Sequence, residues 1–461
     1  MGKLEDIVSL CKRRGFIFPG SDVYGGMAGT WDFGPLGVML KRNIMNTWWH
    51  FWVEQRDDMY GVDAAIIMNP RTWRASGHVD TFNDPLVECK ECHARLRADK
   101  LVDGAGEGIT TEEFLAANVK CPVCKKQNWS EIRRFNMMFT THVGPVSDDS
   151  SIAYLRPETA QGIFTNYKNV VDTIYPSMPF GIAQQGKAFR NEISPRDFIL
   201  RDRECTQMEI EYFINPKDWE KTFEEMLTQQ HIFLEETIGL PASKIHDYEV
   251  PPEDRAHYSK RTVDIEFDYP NGREELMGLA YRTDFDLSNI QRESGKSMEY
   301  RDKNTGETFV PHVIEPSIGL ERLFLAILTS AYWQDGDRVV LKFPESLAPY
   351  KFCVSPLLKN KPELVAKAQE VYQLLKDKYT FVTWDDSGNI GKRYKKQDEI
   401  GTPKCVVVDF DTLNDNAVTV RDRDTTEQTR VKISDLQNNS EKCYFYNIYR
   451  EKIRESPAKV L

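Results

Sequence analysis

The sequence contains no long uninterrupted hydrophobic segment, although 40% of its 461 residues are hydrophobic. No stretch approaches the roughly 18 consecutive apolar residues that a membrane-spanning helix requires. The first residues, from Met1 to Asp6, also lack the apolar core of a secretory signal. These absences argue against a membrane protein and a secreted protein, so we expect a cytoplasmic protein with no membrane partner.

Positive charge is in deficit, with 60 Lys and Arg residues against 71 Asp and Glu residues and a net charge of -11. Nonspecific binding to nucleic acid depends on clustered Lys and Arg side chains that neutralise phosphates. The composition therefore argues against a protein that coats nucleic acid through charge alone. Any specific contact with nucleic acid must use a local basic patch.

Low-complexity tracts and internal repeats are also missing. The length instead predicts two or three domains, because one hydrophobic core rarely serves a chain of this size. Helical periodicity predicts a helix over 3–14 and another over 38–52, separated by the Gly-rich segment 19–37. The apolar load of the second helix suits a protein core or a subunit interface equally well.

Alternation of hydrophobic and polar residues predicts β-strands further along the chain. Residues 208–212 and 263–268 each alternate with a period of two, with Glu209 and Glu211 on the polar side. This pattern predicts a mainly antiparallel sheet that projects polar side chains from one face into a site.

From about residue 345 the pattern changes to strand, helix, strand, helix, strand. We expect strands at 351–355, 381–384 and 405–408, and a helix that begins near Pro362. This order of elements predicts a compact C-terminal α/β domain.

The region from about 88 to 149 has the character of an inserted module with clustered cysteines. Two C-x2-C pairs lie 28 residues apart and consist of Cys89, Cys92, Cys121 and Cys124. Four thiolates in this arrangement can close a tetrahedral structural Zn²⁺ site, which a reducing compartment favours over disulfides. Residues 89–93 also match the haem-attachment pattern C-x-x-C-H, which the lack of an export signal disfavours. The cysteines that we expect in core or incidental positions are Cys11, Cys353, Cys405 and Cys443.

Motifs that contain arginine indicate a site for a polyphosphate. Phe189–Glu192 precedes a loop and Arg201–Glu204 follows it, and guanidinium groups on both sides of a loop can bind phosphate oxygens. A third stretch, Glu315–Arg322, runs into an apolar helix, so Arg322 can meet an anion together with the helix dipole. Each motif alone is weak, because an Arg-x-Glu sequence is commonly a surface ion pair.

Taken in this order, the three stretches and Gly34–Gly37 resemble the signature motifs of class II aminoacyl-tRNA synthetases. The resemblance narrows to the dimeric type of glycyl-tRNA synthetase through further stretches at 20–26, 69–78, 156–162, 282–287 and 315–317. It covers nearly the whole chain, including the C-terminal domain, which resembles the anticodon-binding domain of that family.

The resemblance implies an α+β fold with a class II antiparallel-sheet catalytic domain at 1–343. A zinc-binding insertion would occupy 88–149, and an α/β anticodon-binding domain would occupy 344–461. The implied function is activation of glycine with ATP to glycyl-adenylate and transfer to the 3′ end of tRNA-Gly, carried out by a homodimer. In such an enzyme, the basic segment Gly391–Lys396 is either a solvated face or a patch for the anticodon stem.

The resemblance also implies the site residues. The catalytic residues would be Arg190, Glu192 and Arg322. ATP, together with Mg²⁺ held through Glu275, would be bound by Arg190, Asn191, Glu192, Leu200, Arg201, Asp202, Arg203, Glu204, Cys205, Glu275, Leu276, Gly319, Leu320, Glu321 and Arg322. Glycine would be bound by Arg97, Glu158, Cys205, Thr206, Gln207, Met208, Glu209, Glu315, Pro316, Ser317, Ile318 and Gly319.

Glycine offers an ammonium, a carboxylate and no side chain. A pocket can therefore recognise it only through its charges and by leaving no room at the Cα hydrogens. Glu158 and Glu209 can pair with the ammonium and would clash with the methyl group of alanine, so no editing site is expected. The alternative is that these glutamates only solvate a sheet face.

Cys205 departs from the family pattern, which usually has an aromatic residue there to stack on adenine. It is the one feature in favour of a catalytically impaired synthetase-like protein that acts as an RNA-binding or regulatory partner. Intact Arg190, Glu192, Arg201 and Arg322 argue against that alternative. A synthetase for serine, alanine or proline is a third possibility.

Overall fold

A computed structural model describes residues 3–106, 108–195, 197–303 and 305–438 of the chain. Cys443 and the other residues of 439–461, which the sequence assigns to the C-terminal domain, lie outside the described residues. Over the described ranges, no helix is long and apolar enough to cross a membrane.

Within these ranges the α-helices, numbered α1 to α13 in chain order, are Leu4–Arg14, Pro35–Trp49, Pro70–Ala75, His78–Thr81, Thr111–Ala116, Ala160–Ile174, Trp219–Ile232, Phe285–Ser294, Leu320–Ala331, Pro362–Lys378, Ile390–Ile400, Thr412–Asp415 and Ile433–Asn438. The strands, numbered β1 to β23, are Ile17–Pro19, Trp31–Phe33, Met59–Gly61, Asn83–Glu88, Arg95–Arg97, Arg133–Asn136, Thr140–His142, Ile152–Tyr154, Phe180–Phe189, Glu204–Ile214, Ile245–Glu249, Arg261–Tyr269, Gly272–Thr283, Tyr300–Arg301, Thr308–Phe309, His312–Gly319, Tyr332–Asp335, Arg338–Leu341, Phe352–Pro356, Val382–Trp384, Lys404–Val408, Ala417–Asp422 and Gln428–Lys432.

The two predicted N-terminal helices are confirmed with small shifts. α1 matches the helix predicted over 3–14. α2 begins at Pro35 rather than at residue 38, because proline is well suited to the first helical position. It ends at Trp49, where the backbone continues as the π-helical turn His50–Glu54. Leu40 and Trp48 of α2 are fully buried, so the helix serves the protein core.

A seven-stranded sheet forms the centre of the N-terminal domain, in the order β11-β12-β13-β16-β10-β9-β3. Neighbouring strands run antiparallel except β3 and β9, which pair in parallel. The strands predicted at 208–212 and 263–268 lie in β10 and β12. The prediction of a mainly antiparallel sheet is therefore confirmed.

The two faces of this sheet have different surroundings. The face that carries Met208 and Ile318 packs against α2 and α9 in a large apolar core. The opposite face carries polar side chains, and α6 covers part of it through Phe164 and Tyr167 in a second apolar cluster. The uncovered part of the polar face is therefore the place where a site can form.

The inserted module has its own small core. Its three-stranded sheet has the order β5-β4-β6, and β4 already begins at Asn83. Val87, Phe114 and Trp129 are buried in this module together with the first cysteine of each C-x2-C pair. The module is thus a folded unit. The hairpin of β7 and β8 follows it and leads to α6 and to β9 of the seven-stranded sheet.

The C-terminal domain is the expected α/β unit. Its five-stranded sheet has the order β20-β19-β21-β22-β23, with β19 parallel to both of its neighbours. The predicted strands correspond to β19, β20 and β21, and the predicted helix is α10. The side chains of α10 that the periodicity places in the core are fully buried: Leu364, Ala368, Val371 and Leu375.

Helix α11 fixes the C-terminal domain to the N-terminal domain. Ile400, its last residue, is buried in the large core of the N-terminal domain, and Glu399 lies 2.6 Å from Arg14. Gly401 follows at φ +84°, and a Cβ atom there would lie 2.5 Å from the ring of Phe343. The close approach requires glycine at this position.

Candidate active site

The polar face of the seven-stranded sheet opens into a cavity of about 420 Å³. β10, β13 and β16 contribute its floor. The structure brings most of the predicted site residues to its wall, namely Arg97, Glu158, Arg190, Glu192, Leu200, Arg201, Asp202, Cys205, Gln207, Glu209, Glu275, Glu315, Ser317, Gly319, Glu321 and Arg322. Stretches that are far apart in sequence therefore meet at one cavity.

The other predicted site residues do not line this cavity: Asn191, Arg203, Glu204, Thr206, Met208, Leu276, Pro316, Ile318 and Leu320. Successive side chains of a strand point to opposite faces, so only alternate residues of a run can face a site. Met208 and Ile318 are accordingly buried in the apolar core behind the sheet. Alternation accounts for the residues that lie in strands, whereas Asn191 and Arg203 lie in loops and Leu320 begins α9.

Arg322 and Glu275 lie at the end of the cavity that the family resemblance predicts to bind ATP, called the nucleotide end below. Arg322 lies in the first turn of α9, and its Nη1 atom is 2.8 Å from the Glu275 carboxylate. The same guanidinium donates a hydrogen bond of 2.9 Å to the backbone carbonyl of Glu275. The Arg322 charge holds the pKa of Glu275 below its usual value. The Arg322 guanidinium is therefore already oriented before a phosphate binds here.

Two further arginines face the same end. Arg190 follows β9, and its Nε atom donates a hydrogen bond of 3.1 Å to the carbonyl of Pro157. Its guanidinium also lies 5.6 Å from the ring centroid of Phe82. Arg201 lies 4.0 Å from Glu192. Three guanidinium groups can therefore surround a polyphosphate, as the spacing of the motifs predicts.

Glu209 and Glu158 lie at the end of the cavity that the family resemblance predicts to bind glycine, called the amino-acid end below. Glu209 accepts hydrogen bonds from the hydroxyl groups of Thr159, at 2.5 Å, and Ser317, at 2.9 Å. Glu158 lies 3.3 Å from Nε2 of His78. Burial raises the pKa of Glu209, with a contribution from Glu158, whereas His78 holds the pKa of Glu158 well below its usual value despite burial. Both carboxylates are held in place before any ligand arrives.

A buried arginine lies behind these carboxylates. Arg282 is 1% exposed and donates hydrogen bonds to Glu315, at 2.9 and 3.1 Å, and to Asp286, at 2.8 and 3.0 Å. Glu211 is fully buried beside this group, and within the described residues neither of its oxygens has a hydrogen-bond partner. Burial, with a contribution from Glu315, raises the pKa of Glu211 well above its usual value, so Glu211 favours its neutral form.

The end of the cavity near Cys205 contains a second set of buried charges. Glu321 accepts a hydrogen bond of 2.8 Å from the backbone amide of Thr206 and lies 3.7 Å from Lys41. Lys41 reaches from α2 and also donates a hydrogen bond of 2.8 Å to the Thr206 hydroxyl. Burial raises the pKa of Cys205 to about 12, so the residue presents a neutral thiol.

Arg97 reaches the cavity from β5 of the inserted module. Its guanidinium binds Asp99 through two hydrogen bonds, of 3.1 and 2.7 Å, and Asp84 through one of 2.9 Å. Asp84 and Asp99 are themselves buried. The module therefore delivers one fixed cationic side chain to the cavity wall.

Several residues that shape the site were missed by the sequence reasoning. His78, Thr159 and Arg282 lie within stretches that carry the family resemblance, but no charge or spacing pattern separates them from their neighbours. Tyr258 also lines the cavity, and it comes from a loop without a motif. Only its spatial position identifies it.

The basic segment Gly391–Lys396 lies in α11. Arg393 is 2% exposed and donates hydrogen bonds to the backbone carbonyls of Pro356, Asp386 and Gly388, so it cannot reach a ligand. Lys392 and Lys395 are exposed. The segment is therefore partly structural and partly a solvated basic face.

The four cysteines of the inserted module converge in the structure. Their Sγ atoms lie within 4.8 Å of one another, with Cys89 and Cys124 at 3.6 Å and Cys92 and Cys121 at 3.7 Å. Thiolates at 2.3 Å from a tetrahedral Zn²⁺ ion are about 3.8 Å apart, so the four sulfur atoms fit that ion.

The backbones of the two C-x2-C pairs have the same conformation. His93 and Lys125, each one residue after a pair, have φ of 58° and 63°. Each donates a backbone hydrogen bond of 2.8 Å to the carbonyl of the first cysteine of its pair. Two matched turns that point four sulfur atoms at one place agree with a metal site rather than with incidental cysteines.

Known proteins resemble the chain over most of its length. Residues 139–331 match the family described as the tRNA synthetase class II core domain (G, H, P, S and T), and residues 351–441 match the anticodon binding domain family. The chain is 49% identical over 446 residues to the glycine–tRNA ligase of Malacoplasma penetrans, covering 94% of this chain and 96% of that protein. It is 47% identical over 467 residues to that of Lachnospira eligens, covering 97% and 99%.

A solved structure has a similar fold at low sequence identity. Prolyl-tRNA synthetase from Cryptosporidium parvum aligns with a TM-score of 0.63 and 14% identity, over 97% of this chain and 75% of that one. This likeness agrees with the fold class that the sequence predicts.

Proposed function

This chain belongs to the family of glycine–tRNA ligases, and from that membership we propose that it activates glycine with ATP and transfers the glycyl group to the 3′ end of tRNA-Gly. One observation carries the proposal. A single cavity joins buried carboxylates, suited to an ammonium, to three arginines, suited to a polyphosphate. The relatives give no support for the catalytically impaired alternative.

In the first step the glycine carboxylate attacks the α-phosphorus of ATP, and pyrophosphate leaves. Arg190 and Arg322 align the phosphates and stabilise the negative charge that develops on them. No protein nucleophile is required. Glu275 has an accessible carboxylate at the nucleotide end, so it fits as a ligand for Mg²⁺, which would neutralise phosphate charge when bound.

Glycine is recognised by its charges and its size. Glu158 and Glu209 pair with the ammonium, and His78, Thr159 and Ser317 hold these carboxylates in a fixed geometry. Preorganised partners do not have to reorient when the ligand binds, which increases their contribution to affinity.

In the second step the terminal hydroxyl of tRNA-Gly takes the glycyl group from the adenylate. The anticodon would be bound by the C-terminal domain, and we place the boundary between the two domains near residue 344. Lys392 and Lys395, on the exposed side of α11, are the residues of the basic segment that remain available for phosphates.

We further propose that Cys89, Cys92, Cys121 and Cys124 hold a structural Zn²⁺ ion. The sulfur distances and the two matched turns support this proposal. Four protein ligands leave no open coordination position, so the ion would stabilise the inserted module and take no part in the reaction.

We also propose that the enzyme is a cytoplasmic homodimer. The loop from Gly20 to Thr30 carries side chains that are unusually exposed for their type, with Val23 at 87%, Tyr24 at 90% and Met27 at 57%. Apolar side chains grouped on a surface are typical of an interface. Sedimentation of the purified protein tests the dimer, and replacement of Tyr24 by Ser should weaken it.

Glycine-dependent exchange of pyrophosphate into ATP tests the proposed activity. We expect exchange with glycine and much less with alanine, serine or proline. Folded protein loaded with zinc that gives no exchange with glycine would refute the proposal. A preference for one of the other amino acids would refute the role given to Glu158 and Glu209.

A further inference from the structure

A loop between β11 and β12 reaches the amino-acid end of the cavity. It runs from Val250 to Lys260 and places Tyr258 on the cavity wall together with Glu209 and Glu315. No family motif in the sequence points to this loop.

Hydrogen bonds hold the loop in one conformation. Arg255 donates to the backbone carbonyls of Val250, at 2.8 Å, and Lys260, and so connects the two ends of the loop. The backbone amide of Val250 donates to the backbone carbonyl of Thr262 at 3.0 Å, and the backbone amide of Lys260 donates to the backbone carbonyl of Tyr281 at 2.9 Å. Tyr258 is therefore carried by a segment that is anchored to two strands of the sheet.

The ring of Tyr258 lies over the buried arginine behind the glycine-binding carboxylates. The guanidinium carbon of Arg282 is 3.7 Å from the ring centroid, a distance at which a cation is attracted to an aromatic face. Because Arg282 also binds Glu315, the ring has a fixed position relative to that carboxylate. Burial, with a contribution from Glu315, raises the pKa of Tyr258 well above its usual value, so its hydroxyl stays neutral.

On the β13 side of Glu315, three neighbouring positions of β12 and β13 that line the cavity carry small side chains or none. Ala280 lies opposite Glu315 in β13, and Thr262 lies opposite Ala280 in β12. At Gly278, on the same face, a Cβ atom would meet nothing closer than 3.8 Å. The sheet therefore leaves room at these three positions, which a large side chain from another segment can limit.

We propose that Tyr258 is a specificity-determining residue that excludes amino acids larger than glycine by filling the space beside Glu315 above Ala280 and Thr262. This inference rests on the proposed function and concerns its amino-acid specificity. Glu158 and Glu209 attract the ammonium of every amino acid and limit the space on their own side of the ligand, but the space on the Glu315 side needs a second barrier. A fixed ring supplies the steric exclusion that recognition of glycine needs.

Pyrophosphate exchange with glycine, alanine and serine tests the inference in three forms of the full-length enzyme. Tyr258→Phe keeps the ring and should keep the discrimination of the wild type. Tyr258→Ala should raise the ratio of kcat/KM for alanine to that for glycine by about tenfold or more, the usual range for one methyl group. The change should arise mainly in the KM for alanine, and the KM for ATP should stay constant.

An unchanged ratio in folded, active Tyr258→Ala overturns the inference. If that variant does not fold, Tyr258→Leu takes its place. A raised ratio of kcat/KM for alanine to that for glycine would then support the inference, and an unchanged ratio would overturn it. A wild-type protein without glycine exchange would refute the proposed function and this inference with it. An unchanged ratio in an active enzyme refutes the inference alone.

Discussion

The Ser317 hydroxyl on β16 donates a hydrogen bond of 2.9 Å to the Glu209 carboxylate on the neighbouring strand β10. The two residues face each other directly in the strand register. Thr159 binds the other oxygen of Glu209 from the segment before α6. A carboxylate held from both sides cannot turn away from a ligand, and this property underlies the first prediction.

Replacing Glu209 by Gln should raise the KM for glycine about tenfold to a hundredfold, because a hydrogen bond to a charged group contributes about 1.5–3 kcal/mol. The KM for ATP should change little. Steady-state pyrophosphate exchange measures both values. The exposed Glu220 on α7 provides the control, and Glu220→Gln should behave as wild type. An unchanged KM for glycine in Glu209→Gln would remove Glu209 from the binding site.

Replacing Arg322 by Lys should lower kcat by about two to three orders of magnitude, since lysine cannot reproduce the forked geometry that meets phosphate charge in the transition state. Single-turnover formation of glycyl-adenylate measures the effect. The control is Arg273→Lys, because Arg273 lies on β13, binds Asp268 at the surface and does not line the cavity. Equal losses in both variants would contradict a catalytic role.

Glycine binding should strengthen as the pH rises. Burial raises the pKa of Glu315 to about 8, because Glu209 and Glu158 offset the opposing effect of Arg282. Below that pH the carboxyl is protonated, and it must lose its proton to attract an ammonium. The KM for glycine should therefore fall between pH 6.5 and pH 8.5, by at most about tenfold per pH unit for one proton.

The same raised pKa has the opposite effect on stability. The folded protein holds this proton more tightly than the unfolded chain does, so this contribution to stability decreases as the pH rises from about 4.5 to about 8. Glu315→Gln should reduce the pH dependence of both the KM for glycine and the melting temperature. A KM for glycine that does not vary with pH in the wild type would contradict the assignment.

Replacing Cys89 by Ser should release the metal and lower the melting temperature by roughly 5 °C or more, because a structural zinc ion contributes directly to folding. Metal analysis and calorimetry of the same samples measure the two effects. Cys11 provides the control: it is buried in a different core, so Cys11→Ala should keep the metal content. Purified protein with disulfides in place of free thiols and metal would show the zinc proposal to be wrong.

Replacing Cys205 by Phe should lower the KM for ATP about twofold to tenfold, since stacking on an aromatic ring contributes about 0.5–1.5 kcal/mol beyond burial. The KM for glycine should remain that of the wild type. Cys205→Ala restores no ring and should give no improvement. Weaker ATP binding in Cys205→Phe would mean that the thiol position does not face the adenine.

The sequence predicts the parts of this site that depend on residue type and order. Arg190, Arg201 and Arg322 can be recognised because charged residues beside loops and helix starts have a local signature. The antiparallel sheet can be predicted because alternation requires only two contrasting faces. The same alternation also places Glu211 on the polar face.

Other features depend on contacts between distant segments, which no local pattern contains. Glu211 lies on the predicted face but is buried without a hydrogen-bond partner among the described residues, since α6 and Arg282 close over that part of the sheet. Arg393 belongs to a basic segment, but its guanidinium donates its hydrogen bonds to three backbone carbonyls inside the domain. Tyr258 acquires its role only because its loop folds back over Arg282.

The packing of Ile400 and Glu399 against the N-terminal domain has a consequence for the choice of RNA. Because Ile400 of α11 is buried in the core of the N-terminal domain and Glu399 binds Arg14, these contacts set the span between the cavity and the C-terminal domain. A substrate that occupies both places at once must match that length. The fold therefore selects RNA by its overall length, in addition to any bases that the protein contacts.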